Sequence, residues 1–142
     1  MNTVHLLAVR SDSSTVPISF EVFGGEEVGL RMRLPSGDWR SFSDPNLFAC
    51  LISARIALEK EELLLCCQGA RSDVLPSGLQ QQMDNGRSAS VLTGLPGDVE
   101  VVDIFDAAEP SQVTSVEEQR TAVFRFFGLP LPEGDEVTWR RT

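Results

Sequence analysis

The stretch LLLCCQGARSDVLPSG, residues 63–78, begins as an unbroken apolar run and ends as a polar loop that contains glycine and proline. A run this short and this apolar indicates a β-strand buried on both faces, and such strands usually lie in the middle of a sheet. We therefore expect the core to hold the following loop in a fixed position. Arg71, Ser72 and Asp73 on this loop are candidate binding residues.

The segments before this stretch show the period of two that is typical of half-buried strands. Residues 15–23 and 28–34 alternate apolar and polar side chains on either side of a glycine-containing turn, which predicts a β-hairpin. Glu21 is expected to lie opposite Arg31 or Arg33 on the solvent-exposed face. Residues 3–9 and 39–42 also form strand patterns, so this part of the chain predicts an antiparallel meander.

Two main helices are predicted, one before and one after the buried strand. The first begins with Asp44 as N-cap and Pro45 at the first helical position, and it runs to about residue 60. The second begins at a capping box in one of two registers, started by Thr114 or by Ser115. It ends at Gly128, because glycine readily adopts the left-handed conformation that terminates helices.

Shorter elements complete the pattern. Residues 76–83 predict one or two helical turns, with Leu79 and Met83 four positions apart and both packed inward. Residues 88–93 and 99–105 predict two further strands joined by a turn.

This order of elements predicts an α+β fold. The expected architecture is a mostly antiparallel sheet, with a meander at the N-terminus and the buried strand at 63–67, and with two main helices packed on it. A single domain is expected over 1–128, followed by a tail at 129–142 that is rich in proline and acidic residues.

The chain has 142 residues, 21 acidic and 12 basic, for a formal charge of −9. This balance argues against nucleic acid and against an anionic membrane surface, since both require basic protein surfaces. It favours a basic protein as partner, although an acidic composition also serves solubility alone. No apolar run is long enough to cross a bilayer and no signal peptide is visible, so a soluble, cytoplasmic protein is expected.

Few residues suit catalysis or metal binding. The one histidine, His5, lies in a strand pattern, and no Cys-x-x-Cys pair exists, so neither a catalytic triad nor a metal site is expected. Arg71 could lower the pKa of the Cys67 thiol and so activate it as a nucleophile, but the sequence places no histidine near it to act as general base. The three cysteines are therefore expected to be reduced core residues, and no cofactor is expected.

Three further charged residues are candidates for a site. Arg55 falls on the apolar side of the first helix, either at its edge with the head group reaching water, or aimed into a cleft toward an acid or a ligand. Asp103 interrupts a strand, so an inward side chain would need a partner, for which Arg55 or Arg71 are candidates. Asp106 follows Asp103 and could form a carboxylate pair with it, although a structural ion pair is favoured over acid–base catalysis.

The loop at 67–73, the Pro-Ser-Gly at 76–78, the pairs at 82–83 and 86–87, and the segments 102–106 and 116–119 together resemble a group of small, largely uncharacterised bacterial proteins. Some small acidic proteins of this kind act as immunity proteins beside polymorphic or contact-dependent toxins. The resemblance implies an immunity role and supplies no catalytic residue.

The leading functional hypothesis is a cytoplasmic immunity protein that binds a cognate toxin domain, expected to be basic, and blocks its active site. The alternative is a small-ligand-binding protein or enzyme with a polar pocket around Arg71 and Asp73. A third hypothesis is an accessory subunit that docks through its C-terminal tail.

Overall fold

The computed structural model describes residues 2–94 and 100–131 and confirms the predicted α+β class. It contains a five-stranded antiparallel sheet, a three-stranded antiparallel sheet and three α-helices. The strands are β1 (Asn2–Val9), β2 (Thr15–Phe23), β3 (Gly29–Arg33), β4 (Trp39–Phe42), β5 (Leu64–Leu65), β6 (Val74–Leu75), β7 (Ser88–Val91) and β8 (Val101–Asp103). The helices are α1 (Leu47–Glu59), α2 (Gly78–Asp84) and α3 (Val116–Phe126), with 3-10 turns at Gln68–Ala70 and Pro110–Gln112.

The N-terminal meander forms the larger sheet, in the order β4-β3-β2-β1-β5. Its strands alternate buried and exposed residues, because one face packs on the core while the other remains uncovered. The expected cross-strand pair is confirmed: Glu21 lies opposite Arg31, and their side chains are 3.1 Å apart.

Helix α1 covers the inner face of this sheet and contacts β3, β4 and β5. Its predicted start was wrong by two residues. The N-cap is Asn46, whose side-chain oxygen accepts a hydrogen bond from the Ala49 N–H at 2.8 Å. Asp44 instead accepts from the Ser53 hydroxyl at 3.0 Å, so it supports the helix from the side.

The apolar run at 63–67 is buried, but its predicted position in the middle of a sheet was wrong. Only Leu64 and Leu65 form a strand, and this strand is at the edge of the larger sheet, paired with the end of β1. The chain then turns away to pair with residues 106–108: Gln68 N–H donates to the Asp106 carbonyl, and Ala108 N–H donates to the Cys66 carbonyl. The run is apolar on both faces because it links two structural layers.

The smaller sheet has the order β6-β7-β8. The two strands predicted at 88–93 and 99–105 are present in shortened form as β7 and β8, which pair with each other. Most of the turn expected between them, at 95–99, lies outside the described residues.

Helix α2 begins with a capping box, in which Ser77 and Gln80 each accept a hydrogen bond from the other's backbone N–H. The expectation that Leu79 and Met83 pack inward was wrong, since they are 65% and 77% exposed. Helix α2 is therefore attached by its ends and by polar contacts, with its apolar side chains in solvent.

Helix α3 uses the second of the two predicted capping registers, in which Ser115 accepts from the Glu118 N–H at 3.1 Å. Gly128 follows the helix with a φ of 67°, as expected for its terminating residue. The Leu129 N–H donates to the Phe124 carbonyl and the Gly128 N–H to the Arg125 carbonyl, which is the Schellman pattern. The tail predicted beyond this point falls mostly at 132–142, outside the described residues.

None of the helices within the described ranges combines the length and the apolar character that a membrane span requires.

Candidate functional site

The guanidinium of Arg55 lies in the centre of the protein and is 1% exposed. It donates to the carbonyl oxygens of Gly69 at 3.2 Å and Thr114 at 2.9 Å, and to the side-chain oxygen of Gln119. Of the two alternatives that the sequence left for Arg55, the one in which its head group reaches water is therefore wrong. One long side chain of α1 supports both the 3-10 turn and the segment that leads into α3.

Gln119 completes this arrangement and is fully buried. Its amide nitrogen donates to the carbonyl oxygens of Gly69 at 3.0 Å and Val74 at 3.2 Å, while its oxygen accepts from Arg55. Buried polar groups are expensive unless they are paired, so this arrangement rigidly fixes how α1, α3 and the loop at 68–74 sit together. We call Arg55, Gln119 and Gly69 the buried polar centre.

Gly69 belongs to this centre because no larger residue fits. A Cβ atom at this position would lie 2.6 Å from Leu51 Cδ2 and 2.9 Å from Ile104 Cβ. The Gly69 N–H also donates to the Ile104 carbonyl at 3.0 Å, which fixes the backbone against the end of β8. The turn is therefore clamped between α1 and the residue after β8.

Burial lowers the pKa of Arg55, because the interior disfavours the charged form. The negative charge of Glu59, one helical turn away, opposes that shift. The three acceptors around the guanidinium are neutral oxygens, so they solvate the charge without cancelling it. These contacts use Nη1 and Nη2, while the buried Nε has no hydrogen-bond partner among the described residues.

Arg71, Ser72 and Asp73 lie at the surface just beyond the buried polar centre. Arg71 binds Asp73 through two parallel hydrogen bonds of 3.0 and 2.8 Å, and it donates a third, of 2.8 Å, to the side-chain oxygen of Gln68. Ser72 is exposed between them. Because Arg71 and Asp73 satisfy each other, the loop presents a nearly neutral pair with one free hydroxyl.

Asp103 has a different partner from the two that the sequence suggested. One carboxylate oxygen accepts from Arg87 Nε at 3.0 Å, and the other accepts from the Phe105 N–H at 2.9 Å. Arg87 also donates to the side chain of Asn2 at 2.8 Å, so the ion pair joins β8 to β1. The expected pairing of Asp103 with Arg55 or Arg71 was wrong. Asp106 is exposed, and its backbone rather than its side chain contacts the loop.

The three cysteines are buried and free, as the sequence predicted. Burial raises the pKa of Cys67 to about 11, and the nearby positive charge of Arg55 offsets this only in part. Burial also raises the pKa of Cys50 to about 11 and raises that of Cys66. A thiol that stays protonated at neutral pH is a poor nucleophile, so the burial of these thiols argues against cysteine chemistry here.

Acidic residues occupy both segments that meet where α1 ends and α3 begins. Both carboxylate oxygens of Glu59 accept from the Val116 N–H, at 3.2 and 3.1 Å, so the two helix ends are in contact. Exposed acidic residues follow Glu59 and Val116 directly in the sequence, within one helical turn of that contact. We call this surface the acidic end; it comprises Glu59, Glu61, Glu62, Glu117 and Glu118.

The acidic end has both a structural and an electrostatic character. Glu117 and Glu118 occupy the first turn of α3, where negative charge interacts favourably with the helix dipole. Within segments 59–62 and 116–118, Lys60 is the one basic residue against five acids. These two short segments therefore carry a net negative charge, with Arg55 and Arg120 as the basic residues within one turn of them.

A cavity of about 310 Å³ lies elsewhere, along the outer side of α3. It is lined by Thr121, Phe124, Arg125, Gly128, Leu129 and Leu131. None of the site residues predicted from the sequence lines it. Within the described part of the chain, no group of three or more His, Cys, Asp or Glu side chains is placed to hold a metal ion.

Two residues were not predicted from the sequence, Gln119 of the buried polar centre and Glu59 of the acidic end. Gln119 gave a usable signal, since it falls between Val116 and Val123 on the apolar side of α3, where a polar residue needs a partner. Glu59 gave a weaker one, because an acid near the C-terminus of α1 opposes that helix dipole and so needs another role. Its contact with α3 depends on the tertiary fold.

The candidate residues thus divide into a buried polar centre, a paired loop and an acidic end. When the chain is compared with known proteins, no protein-family model matches it and no curated protein matches it.

Proposed function

We propose that this protein is a cytoplasmic immunity protein that binds a cognate toxin domain and occludes its active site, with the acidic end as the contact surface. The single observation that carries the proposal is that five acidic residues lie on the two segments joined by the contact between Glu59 and the start of α3. A concentrated negative field speeds encounter with a basic partner and rejects acidic ones.

The rigidity of this surface adds support. Glu59 is fixed by two hydrogen bonds to Val116, and α1 and α3 are joined one turn further in by Arg55 and Gln119. The acidic end is therefore held in one arrangement before any partner arrives. Preorganised interfaces lose less conformational entropy on binding.

A ligand pocket around Arg71 and Asp73 has less support. Arg55, which would have to serve it, is buried and already donates to three protein oxygens. Arg71 and Asp73 are paired with each other, so an incoming ligand would have to displace an existing bidentate ion pair. Surface binding of a protein leaves these contacts intact.

The direct test uses any toxin domain that is encoded next to the gene for this protein. We expect the purified protein to bind that domain in surface plasmon resonance and to suppress its toxicity when the two are co-expressed. Absence of binding, or toxicity that is unchanged by co-expression, would refute the immunity function.

The surface is tested by charge reversal at two exposed sites, Glu61→Lys with Glu117→Lys. We expect the association rate to fall by about tenfold at low salt and to become less sensitive to salt. The matched control is Glu26→Lys with Glu27→Lys in the β2–β3 turn, which changes net charge equally at a distant position. If both pairs of substitutions slow association to the same degree, the acidic end is not the contact surface.

A further inference from the structure

The outer face of the larger sheet carries polar side chains aligned across neighbouring strands. The strand register places His5 beside Ser19, Ser19 beside Arg33, and Arg33 beside Trp39. A parallel row places Thr3, Glu21, Arg31 and Ser41 side by side. Helix α1 packs on the opposite face, so these side chains face solvent.

This face is basic at the β3–β4 side, in contrast to the charge of −9 on the whole chain. Glu21 is its one acid in these rows, and it is already bound to Arg31 at 3.1 Å. Within residues 2–94 and 100–131, neither Arg33 nor Arg40 forms an ion pair. On this face Arg33 is therefore the arginine without an acidic partner among the described residues; Arg40 lies on the opposite face of β4, and the exposed Asp38 directly precedes the strand.

Both arginines of β3 lean toward the sheet edge. The guanidinium carbons of Arg31 and Arg33 lie 4.6 and 5.8 Å from the ring centre of Trp39, which belongs to β4. Trp39 is 41% exposed. Partly exposed tryptophan with arginine is the composition that dominates binding energy at protein interfaces.

Among the described residues, strand β4 is also an open edge. It ends the strand order of the larger sheet, and its residues Trp39, Arg40 and Ser41 are exposed. Alternate residues of an edge strand present unpaired N–H and C=O groups outward, which a further strand can pair with. Arg40 projects on the opposite face from Trp39, so an added strand would meet positive charge on both of its faces.

We propose that β4 is a docking edge for an extended acidic segment of a partner protein, which adds to the sheet as a sixth strand. The backbone of β4 supplies hydrogen bonds, and a carboxylate of the segment meets Arg33 beside Trp39, whereas Arg31 keeps its ion pair with Glu21. A carboxylate on the other face meets Arg40. This surface is distinct from the acidic end and of opposite charge, so it does not depend on the proposed immunity function.

The test uses a short synthetic peptide in which glutamate alternates with valine, except that one central valine is replaced by glutamate so that a carboxylate also lies on the face of Arg40. We expect saturable binding by fluorescence anisotropy, together with slower hydrogen exchange of the outward amides of residues 39–42. The same peptide with alternate backbone nitrogens methylated carries equal charge but cannot pair with β4, and we expect it not to bind.

Charge variants locate the site. Arg33→Glu with Arg40→Glu should weaken peptide binding by at least about tenfold. The matched control is Arg10→Glu with Arg125→Glu, two exposed positions away from β4, which should weaken binding by less than about threefold. Urea unfolding of both double variants checks that they remain folded.

Four results would overturn the proposal. They are no binding of the peptide, equal binding of the methylated peptide, stronger protection of β4 by single-stranded oligothymidylate, and self-association in the ultracentrifuge that Arg33→Glu with Arg40→Glu abolishes. The third result would assign the face to nucleic acid, and the fourth to a second copy of this chain.

Discussion

Arg55 of α1 donates a hydrogen bond to the side-chain oxygen of Gln119 of α3 inside the core, across 64 positions of sequence. Both residues are buried, and the Gln119 side-chain oxygen accepts its hydrogen bond from Arg55. A buried pair of this kind contributes little to stability over an apolar pair of equal volume, but breaking half of it is costly.

The first prediction concerns this pair. Gln119→Leu should destabilise the protein by about 3 kcal/mol, because it removes an acceptor from a buried charge and the side-chain donor of the Val74 carbonyl, while the Gly69 carbonyl keeps only Arg55 as a side-chain donor. Arg55→Leu with Gln119→Leu together should cost clearly less than the sum of the single substitutions. Urea unfolding measures each value, and Gln82→Leu on the exposed side of α2 is the control, expected within about 0.5 kcal/mol of wild type. Strict additivity would contradict the coupling.

The second prediction concerns Gly69. Gly69→Ala should destabilise the fold by about 3 kcal/mol or more, because the new methyl group would overlap Leu51 and Ile104 in a packed core. Gly78→Ala is the matched control: nothing lies within 4 Å of its added Cβ, and alanine favours the helix that Gly78 begins. Thermal unfolding should show a large loss for the first variant and none for the second.

The third prediction is a loss of stability at high pH. The folded state raises the pKa of Cys50 and Cys67 from 9.0 to about 11. Between these values the unfolded chain releases both thiol protons while the folded chain keeps them, so the unfolding free energy falls as pH rises. The slope should reach about 1.4 kcal/mol per pH unit for each thiol.

Urea titrations at about pH 8 and about pH 10 measure this fall. The chain has no tyrosine and one lysine, so few other groups titrate in this range. Cys50→Ala with Cys67→Ala should flatten the dependence. An equally steep fall in that variant would show that other groups cause it.

The fourth prediction concerns the contact between helix ends. Glu59→Gln should lower the unfolding free energy by about 1 kcal/mol, because a neutral amide oxygen is a weaker acceptor for the Val116 N–H at the positive end of α3. Glu61→Gln removes the same charge two residues away and should change stability by less than about 0.5 kcal/mol. Equal losses in both variants would assign the effect to general charge rather than to the cap.

The meander could be predicted because its information is local. Alternation with a period of two fixes which residues face the core, and this register places Glu21 opposite Arg31. The helix starts were nearly as accessible. Ser115 was one of the two caps that the sequence offered for α3. For α1, Asn46 took the role expected of Asp44, and its side-chain oxygen accepts the hydrogen bond of the Ala49 N–H.

The tertiary partners could not be predicted, because they come from distant segments. The environment of Arg55 is built by carbonyls at 69 and 114, whose positions no pattern near α1 encodes. Asp103 pairs with Arg87 because β7 and β8 are neighbouring strands and Ser88 lies opposite Asp103. The sequence had instead suggested Arg55 or Arg71 as its partner. Leu79 and Met83 have helical spacing, but that spacing does not say whether a second layer lies above them.

The buried polar centre has a consequence for recognising distant relatives. Apart from the bond between Arg55 and Gln119, its acceptors are backbone carbonyls at Gly69, Val74 and Thr114, which any residue could supply. Only Arg55, Gly69 and Gln119 are specified by side-chain identity or by its absence, and they stand 14 and 50 positions apart. We expect homologues to retain an arginine, a glycine and a glutamine at comparable intervals after the rest of the sequence has diverged.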